Sequence, residues 1–387
     1  MRTQLLTIGL ITLCFHFVQA AETRTADQII AQKEIKKYRY ILKTELLDVI
    51  VLNMTYGDQA VISEVDKQLL KKADVQMIDL VFTDFPKGED LKQLNLSRIK
   101  VIESLRKSLV TDLNVRWRII RQIDCKNEGE AKTFFHGVVI HYKAMQTEED
   151  RLREVEAIST FLPEESKIKD INKVRKSLSD STIFKVLERN KNWNNIAVVA
   201  DLTGSMAPYS SQLVLWFKLK VNDKRIKDLI FFNDGNLTPD ATKVIGSTGG
   251  IYHGKASNYS EIRELAIKTI TNGCGGDIPE NNIEALLFAI KEAPNTKEFV
   301  MVADNTASVK DISLLSQVTK PVHIILCGTH FGINPQYLTI ARKTGGSIHT
   351  MEKDLENLIL KNEGEKFEFM GEYFQIQKGE VVKVTHL

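Results

Sequence analysis

The feature that most constrains this chain is a set of apolar runs in its second half: "NIAVVAD", "DLIFFND", "EFVMVADN", "VHIILCG" and "SIHTM". Between them lie segments with helical spacing, "SSQLVLWFKLKV", "SEIRELAIKTITN", "NNIEALLFAIKEA", "SVKDISLLSQV" and "NPQYLTIARKTGG". The main runs are continuous rather than alternating. That pattern belongs to strands covered on both faces, which a parallel sheet between two helical layers provides. The expectation is a doubly wound, mostly parallel α/β sheet of Rossmann-like type. Ligands of such sheets gather at the carboxyl ends of the strands. Attention therefore falls on Asp201 and Asp304, where two runs stop, and on Asp277 in the glycine loop "GCGGDIPE" that opens a helix.

A second, smaller α/β pattern precedes this one. Strands are expected in "LLDVIVLNMTY", "VQMIDLVFTDF", "VRWRIIRQID" and "GVVIHYK", with helices in "SEVDKQLLKKAD" and "LSRIKVIESLRKSLV" and a short one around "GEAKTFF". The stretch 144–180 is highly charged and has no β-rich run, which suggests a solvated helical connector. Ser179, Asp180 or Ser181 could cap the helix "TIFKVLERN" that follows. The resulting division is 1–20 a signal peptide, 21–143 a small α/β domain, 144–180 a linker, 181–361 the doubly wound domain and 362–387 a β-hairpin tail turning at Gly379.

The signal-peptide reading rests on Arg2, an apolar run from Leu5 to Val18, and small residues at the positions a peptidase inspects before Ala21. It implies export to a periplasm, to the cell envelope or beyond the cell. Export leaves Cys125, Cys274 and Cys327, an odd number that excludes a disulfide scaffold, and Cys327 within "VHIILCG" reads as a core residue. Lys and Arg number 52 against 50 Asp and Glu in 387 residues. That near balance gives no reason to expect a nucleic-acid partner.

At the end of "NIAVVAD" the residues Asp201, Thr203 and Ser205 occupy alternate positions, so in an extended turn their side chains converge. Carboxylates with hydroxyls, without sulfur or imidazole, suit a hard cation such as Mg²⁺ or Ca²⁺ better than zinc. Helix capping by the same residues is the alternative. It leaves Asp277 and Asp304 unexplained. Here the sequence resembles the von Willebrand factor type A (VWA) domain with its metal-ion-dependent adhesion site. "DLTGS" is similar to the family's Asp-X-Ser-X-Ser with Thr203 for a serine, "GGDIPE" matches a Gly-Gly-Asp-X-Pro-Glu branch, and "VMVADN" keeps the third-loop Asp304 but has Asn305 where a glycine is usual. The resemblance spans residues 181–361. It implies that Thr203 and Ser205 bind the metal directly, that Asp201 and Asp304 act partly through water, and that Asp277 adds charge. One coordination position then stays open for an acidic group on a partner protein. The expected cofactor is a divalent cation, Mg²⁺ in the first instance with Ca²⁺ or Mn²⁺ as alternatives. The expected function is protein recognition or adhesion rather than catalysis.

The enzyme alternative is a haloacid-dehalogenase-like phosphatase with Asp201 as nucleophile. Against it, Asp277 follows a helix and a Cys-Gly-Gly loop instead of a strand, and Asp304 has no role in that scheme. Aspartic proteolysis and serine hydrolysis lack their motifs. In the first unit "VFTDFPKGEDLKQLNLSRIKVI" resembles an OmpA-like domain, with Thr83, Asp84 and Arg98 near the positions that would contact the cell wall through charge-assisted bonds. The alternative makes Asp84 a turn cap and Arg98 a solvated helix residue. His253 and His349 each follow a Gly-Gly pair, and a repeated structural corner is expected there in preference to a metal site.

Overall fold

In the computed structural model, residues 22–42, 47–144, 147–161, 180–220, 224–273 and 279–386 are described. The first unit contains α1 (Ala26–Ile30), β1 (Ile35–Lys37), β2 (Asp48–Asn53), α2 (Lys67–Lys72), β3 (Asp74–Thr83), α3 (Lys92–Leu105), α4 (Ser108–Thr111), β4 (Arg116–Gln122), α5 (Glu128–Thr133) and β5 (Gly137–Lys143). Its sheet has the order β1-β4-β3-β5-β2. Strands β1, β4 and β3 run parallel, whereas β5 is antiparallel to β3 and β2. The period of two in β3 explains both faces. Ile78, Leu80 and Phe82 pack under the helices with Ile29, Ile99 and Ile102, while Met77 turns the other way and joins Leu47 against Phe331 of the second unit.

Asp79, on that second face, is buried without exposure. It accepts bonds from Arg118 Nε (2.5 Å) and Nη2 (2.6 Å) and from the Tyr40 hydroxyl (2.8 Å), and lies 3.2 Å from His141 Nε2. Burial would raise its pKa, but the bonds from His141 and Arg118 outweigh burial and hold it down at about 2.

The second unit contains α6 (Glu148–Phe161), α7 (Thr182–Arg189), β6 (Ile196–Asp201), α8 (Ala207–Leu219), β7 (Ile226–Phe232), β8 (Ile251–Lys255), α9 (Tyr259–Asn272), α10 (Asn282–Glu292), β9 (Glu298–Asp304), β10 (Val322–Cys327), α11 (Pro335–Thr344), β11 (Ile348–His349) and β12 (Asp354–Leu355). The strand order is β12-β11-β10-β9-β6-β7-β8. Strands β11, β10, β9, β6 and β7 are parallel and the two edges are antiparallel. This is the α/β class expected. The reason the runs are continuous is visible within β6: Val198 and Ala200 face α7, α8 and α9, while Ala197 and Val199 face α10 and α11.

Several expectations need correction. Helix α6 is charged, but it is not a solvated connector: Ile158 is fully buried with the helices of the second unit, and Arg151 Nη1 donates to Thr271 O (2.6 Å). The linker residues 162–179 lie outside the described residues. "SVKDISLLSQV" yields only a 3-10 turn, Ile312–Gln317, because Asp311 caps α10 instead, accepting from Ile283 N (3.1 Å) and Glu284 N (2.6 Å). The glycine-rich passage holds β8, which follows a tight turn at Gly250 (φ +69°), where a Cβ would fall 2.1 Å from Asn233 Oδ1. The tail forms its own antiparallel sheet, β13 (Lys366–Phe369), β14 (Glu372–Gln377) and β15 (Glu380–Val384), of which the hairpin at Gly379 is one part. It joins neither larger sheet and packs through Phe374 and Ile376 into the α11 side of the core. Of the three residues proposed to cap α7, Ser181 holds the N-cap position without a side-chain bond, and Asp180 just before it accepts from Thr182 N (2.7 Å).

Candidate functional site

Strands β6 and β9 are neighbours, but the chain leaves β6 toward β7 and leaves β9 toward β10. They therefore flank the switch point of the sheet, where a crevice opens at the carboxyl ends. Asp201 and Asp304 are the last residues of these strands. The sequence builds the same loop twice. Asp201 Oδ1 accepts from Thr203 N (2.8 Å) and Thr203 Oγ1 (2.7 Å), and Asp304 Oδ1 accepts from Thr306 N and Thr306 Oγ1, both at 2.7 Å. In each loop one carboxylate oxygen is thereby fixed and the other is left for the crevice.

A third acid, Glu280, completes the group. It comes from the "GGDIPE" loop, held by a bridge to Val309 in which Glu280 N donates to Ser308 O (2.8 Å) and Lys310 N donates to Glu280 O (3.0 Å). Its Oε1 lies 3.2 Å from Thr203 Oγ1. Sequence reasoning quoted this residue within its motif and gave it no role. Asp277, four residues along the same loop from the start of α10's cap region, lies outside the described residues.

The cation in this crevice is Lys143, the last residue of β5 in the first unit. Its Nζ lies 2.9 Å from Asp304 Oδ2 and 3.4 Å from Glu280 Oε1, and the side chain is only 8% exposed. Nothing in the sequence patterns pointed to it. Burial disfavours the ammonium, but Asp304 and Glu280 more than compensate and raise its pKa. Burial pushes the Asp201 carboxyl upward against the two Thr203 bonds, and burial together with the charge of Asp201 pushes Glu280 well up. Asp304 resists its burial through Lys143, Ser205 and Thr306 and is lowered. The Thr203 hydroxyl lies within donating distance of both Asp201 Oδ1 (2.7 Å) and Glu280 Oε1 (3.2 Å), and its single proton serves one of them at a time.

Among the described residues, no three His, Cys, Asp or Glu side chains form a ready-made metal-holding group. The donor chemistry nevertheless fits a hard cation. Asp201 Oδ2 and Glu280 Oε2 are buried oxygens without a hydrogen-bond partner, and such orphaned groups call for an explanation. Asn305, where the VWA pattern has glycine, is structural: its Nδ2 donates to Gly332 O (2.6 Å) and its Oδ1 accepts from Asn334 N (2.9 Å), so it ties the β9 loop to the loop after β10.

The other candidates lie apart from this crevice. Arg98 is fully buried rather than solvated, donating to Asp58 O (2.9 Å) and Thr55 O (3.1 Å); no hydrogen bond or ion pair joins it to Asp84 among the described residues. Thr83 Oγ1 and Asp84 Oδ1 are buried without partners. His253 meets Asp228 at 2.7 Å. His349 lies between Asp354 (Nδ1, 2.8 Å) and Ser347 (Nε2, 2.6 Å), and His323 Nδ1 lies 2.6 Å from the same Ser347 hydroxyl. Cys125 and Cys327 are free and buried. None of the described helices is long and apolar enough to cross a membrane. Comparison with protein-family models, with curated proteins and with solved structures finds no match.

Proposed function

We propose that this chain is an exported recognition protein whose second unit is a VWA-type domain. In this reading a divalent cation, Mg²⁺ in the first instance, is held by Asp201, Thr203, Ser205, Glu280 and Asp304, and takes an acidic side chain of a partner protein. The observation that carries the reading is the pair of orphaned carboxylate oxygens, Asp201 Oδ2 and Glu280 Oε2, at the switch point of a doubly wound sheet. A hard cation would supply the interaction these buried atoms lack. Export rests on the signal-like residues 1–20, and the first unit acts as spacer, anchor or second binding surface.

Calorimetric titration of Mg²⁺, Ca²⁺ and Mn²⁺ into the chelator-treated chain tests the reading. One-site binding in the wild type that disappears in Asp201→Asn is expected. Equal heats in both proteins would remove it.

A further inference from the structure

The acid crevice of the second unit already receives a cation, and that cation belongs to the first unit. Lys143 ends β5 and reaches Asp304 Oδ2 at 2.9 Å and Glu280 Oε1 at 3.4 Å. A divalent ion bound to the same carboxylates would lie about 2.0–2.6 Å from their oxygens. Two cations cannot share those oxygens without strong repulsion. Occupancy by the ammonium and occupancy by a metal ion are alternatives.

The position of Lys143 gives this exclusion a consequence beyond the crevice. Other contacts between the two units among the described residues include Arg116 Nη1 donating to His330 O (3.1 Å), Phe331 packing against Leu47 and Met77, and the His141 ring near that of Phe331. Glu22 also meets Thr385 at the edge of the tail sheet. Among the described residues, Lys143 is the buried ionic contact of this interface. It also has another counter-ion within its own unit, since Asp74 of β3 stands directly opposite it in the β3–β5 register. An ammonium leaving the crevice is therefore not left without a charge partner.

We infer that Lys143 is a built-in occupant of the acid crevice, which latches the first unit onto the second and is displaced when a divalent cation binds. The inference rests on the cation-binding reading above and adds regulation to it. Docking and metal are linked reciprocally: whatever docking adds to Lys143 occupancy is subtracted from cation affinity, and saturating cation loosens docking by the same factor. In the latched state the crevice is closed to an acidic partner, and in the metal-bound state it is open.

The test uses the full chain, treated with chelator, as wild type, Lys143→Met and Asp201→Asn. Calorimetric titration with Mg²⁺, Ca²⁺ and Mn²⁺ is paired with hydrogen exchange of the docking loop 329–333 in the wild type. Lys143→Met is expected to bind cation at least tenfold more tightly than wild type, and exchange in the loop is expected to rise with cation occupancy. Equal affinity in wild type and Lys143→Met, with loop exchange unchanged at saturation, would overturn the latch while leaving the cation site standing. Absence of binding in both would instead remove the underlying reading. If Lys143→Met does not fold, the wild-type exchange decides alone: faster exchange at saturating cation supports displacement, and unchanged exchange at saturation refutes it.

Discussion

The neutral His349 ring should contribute stability to the second unit that acidification removes. The ring is 1% exposed, donating from Nδ1 to Asp354 and accepting at Nε2 from Ser347, which in turn accepts from His323 Nδ1. Burial lowers its pKa from 6.5 to about 4, against the partial support of Asp354. A pKa depressed in the fold means that the neutral ring is favoured by folding. The contribution is complete above pH 6.5 and is lost as pH falls toward 4. At 1.36 kcal/mol per unit, that interval is worth about 3 kcal/mol. Asp311 works in the opposite sense, since burial raises it to about 6 and its contribution is lost as pH rises through that value. The raw pH profile therefore mixes both. The informative quantity is the difference between wild type and His349→Gln in urea unfolding, followed by tryptophan fluorescence, for which Trp193 is suited because its ring packs edge-on at 4.9 Å from His349. The wild type should lose about 3 kcal/mol relative to the variant between pH 6.5 and 4. A difference that stays flat across this range would refute the argument.

Other outcomes follow from the same geometry. Lys143→Ala in chelator should destabilise the docked chain by about 3 kcal/mol, because Asp304 stays buried without its ammonium; denaturant titration reads this directly. Ile158→Ala should cost about 3 kcal/mol by opening a cavity between α6 and the rest of the second unit, whereas a solvated connector would give no measurable change. Gly346→Ala should cost about 3 kcal/mol, since the added carbon would lie 1.8 Å from Val322 O where β11 meets β10. A melting temperature within a degree of wild type would contradict that.

The second sheet was legible because burial on both faces leaves continuous apolar runs, and the strand-end rule then picked out Asp201 and Asp304. What escaped depended on contacts distant in sequence. Strand β8 was hidden by glycines that its turn requires. Helix α6 looked solvated because charges surround Ile158, and the docking of that helix on α8 and α9 buries it. The role of Glu280 is set by a bridge to Val309, and no local pattern announces a bridge. Lys143 was the least legible of all: it closes an ordinary strand, and its ion pairs with Asp304 and Glu280 arise from where one sheet meets the rim of another.

The most direct test of the cation site is a crystal structure of the intact protein with Mn²⁺, read by anomalous scattering. A single peak among Asp201, Ser205, Glu280 and Asp304, with the Lys143 ammonium withdrawn, is the result this account requires. No peak there at saturating Mn²⁺, with Lys143 still on Asp304, would contradict it.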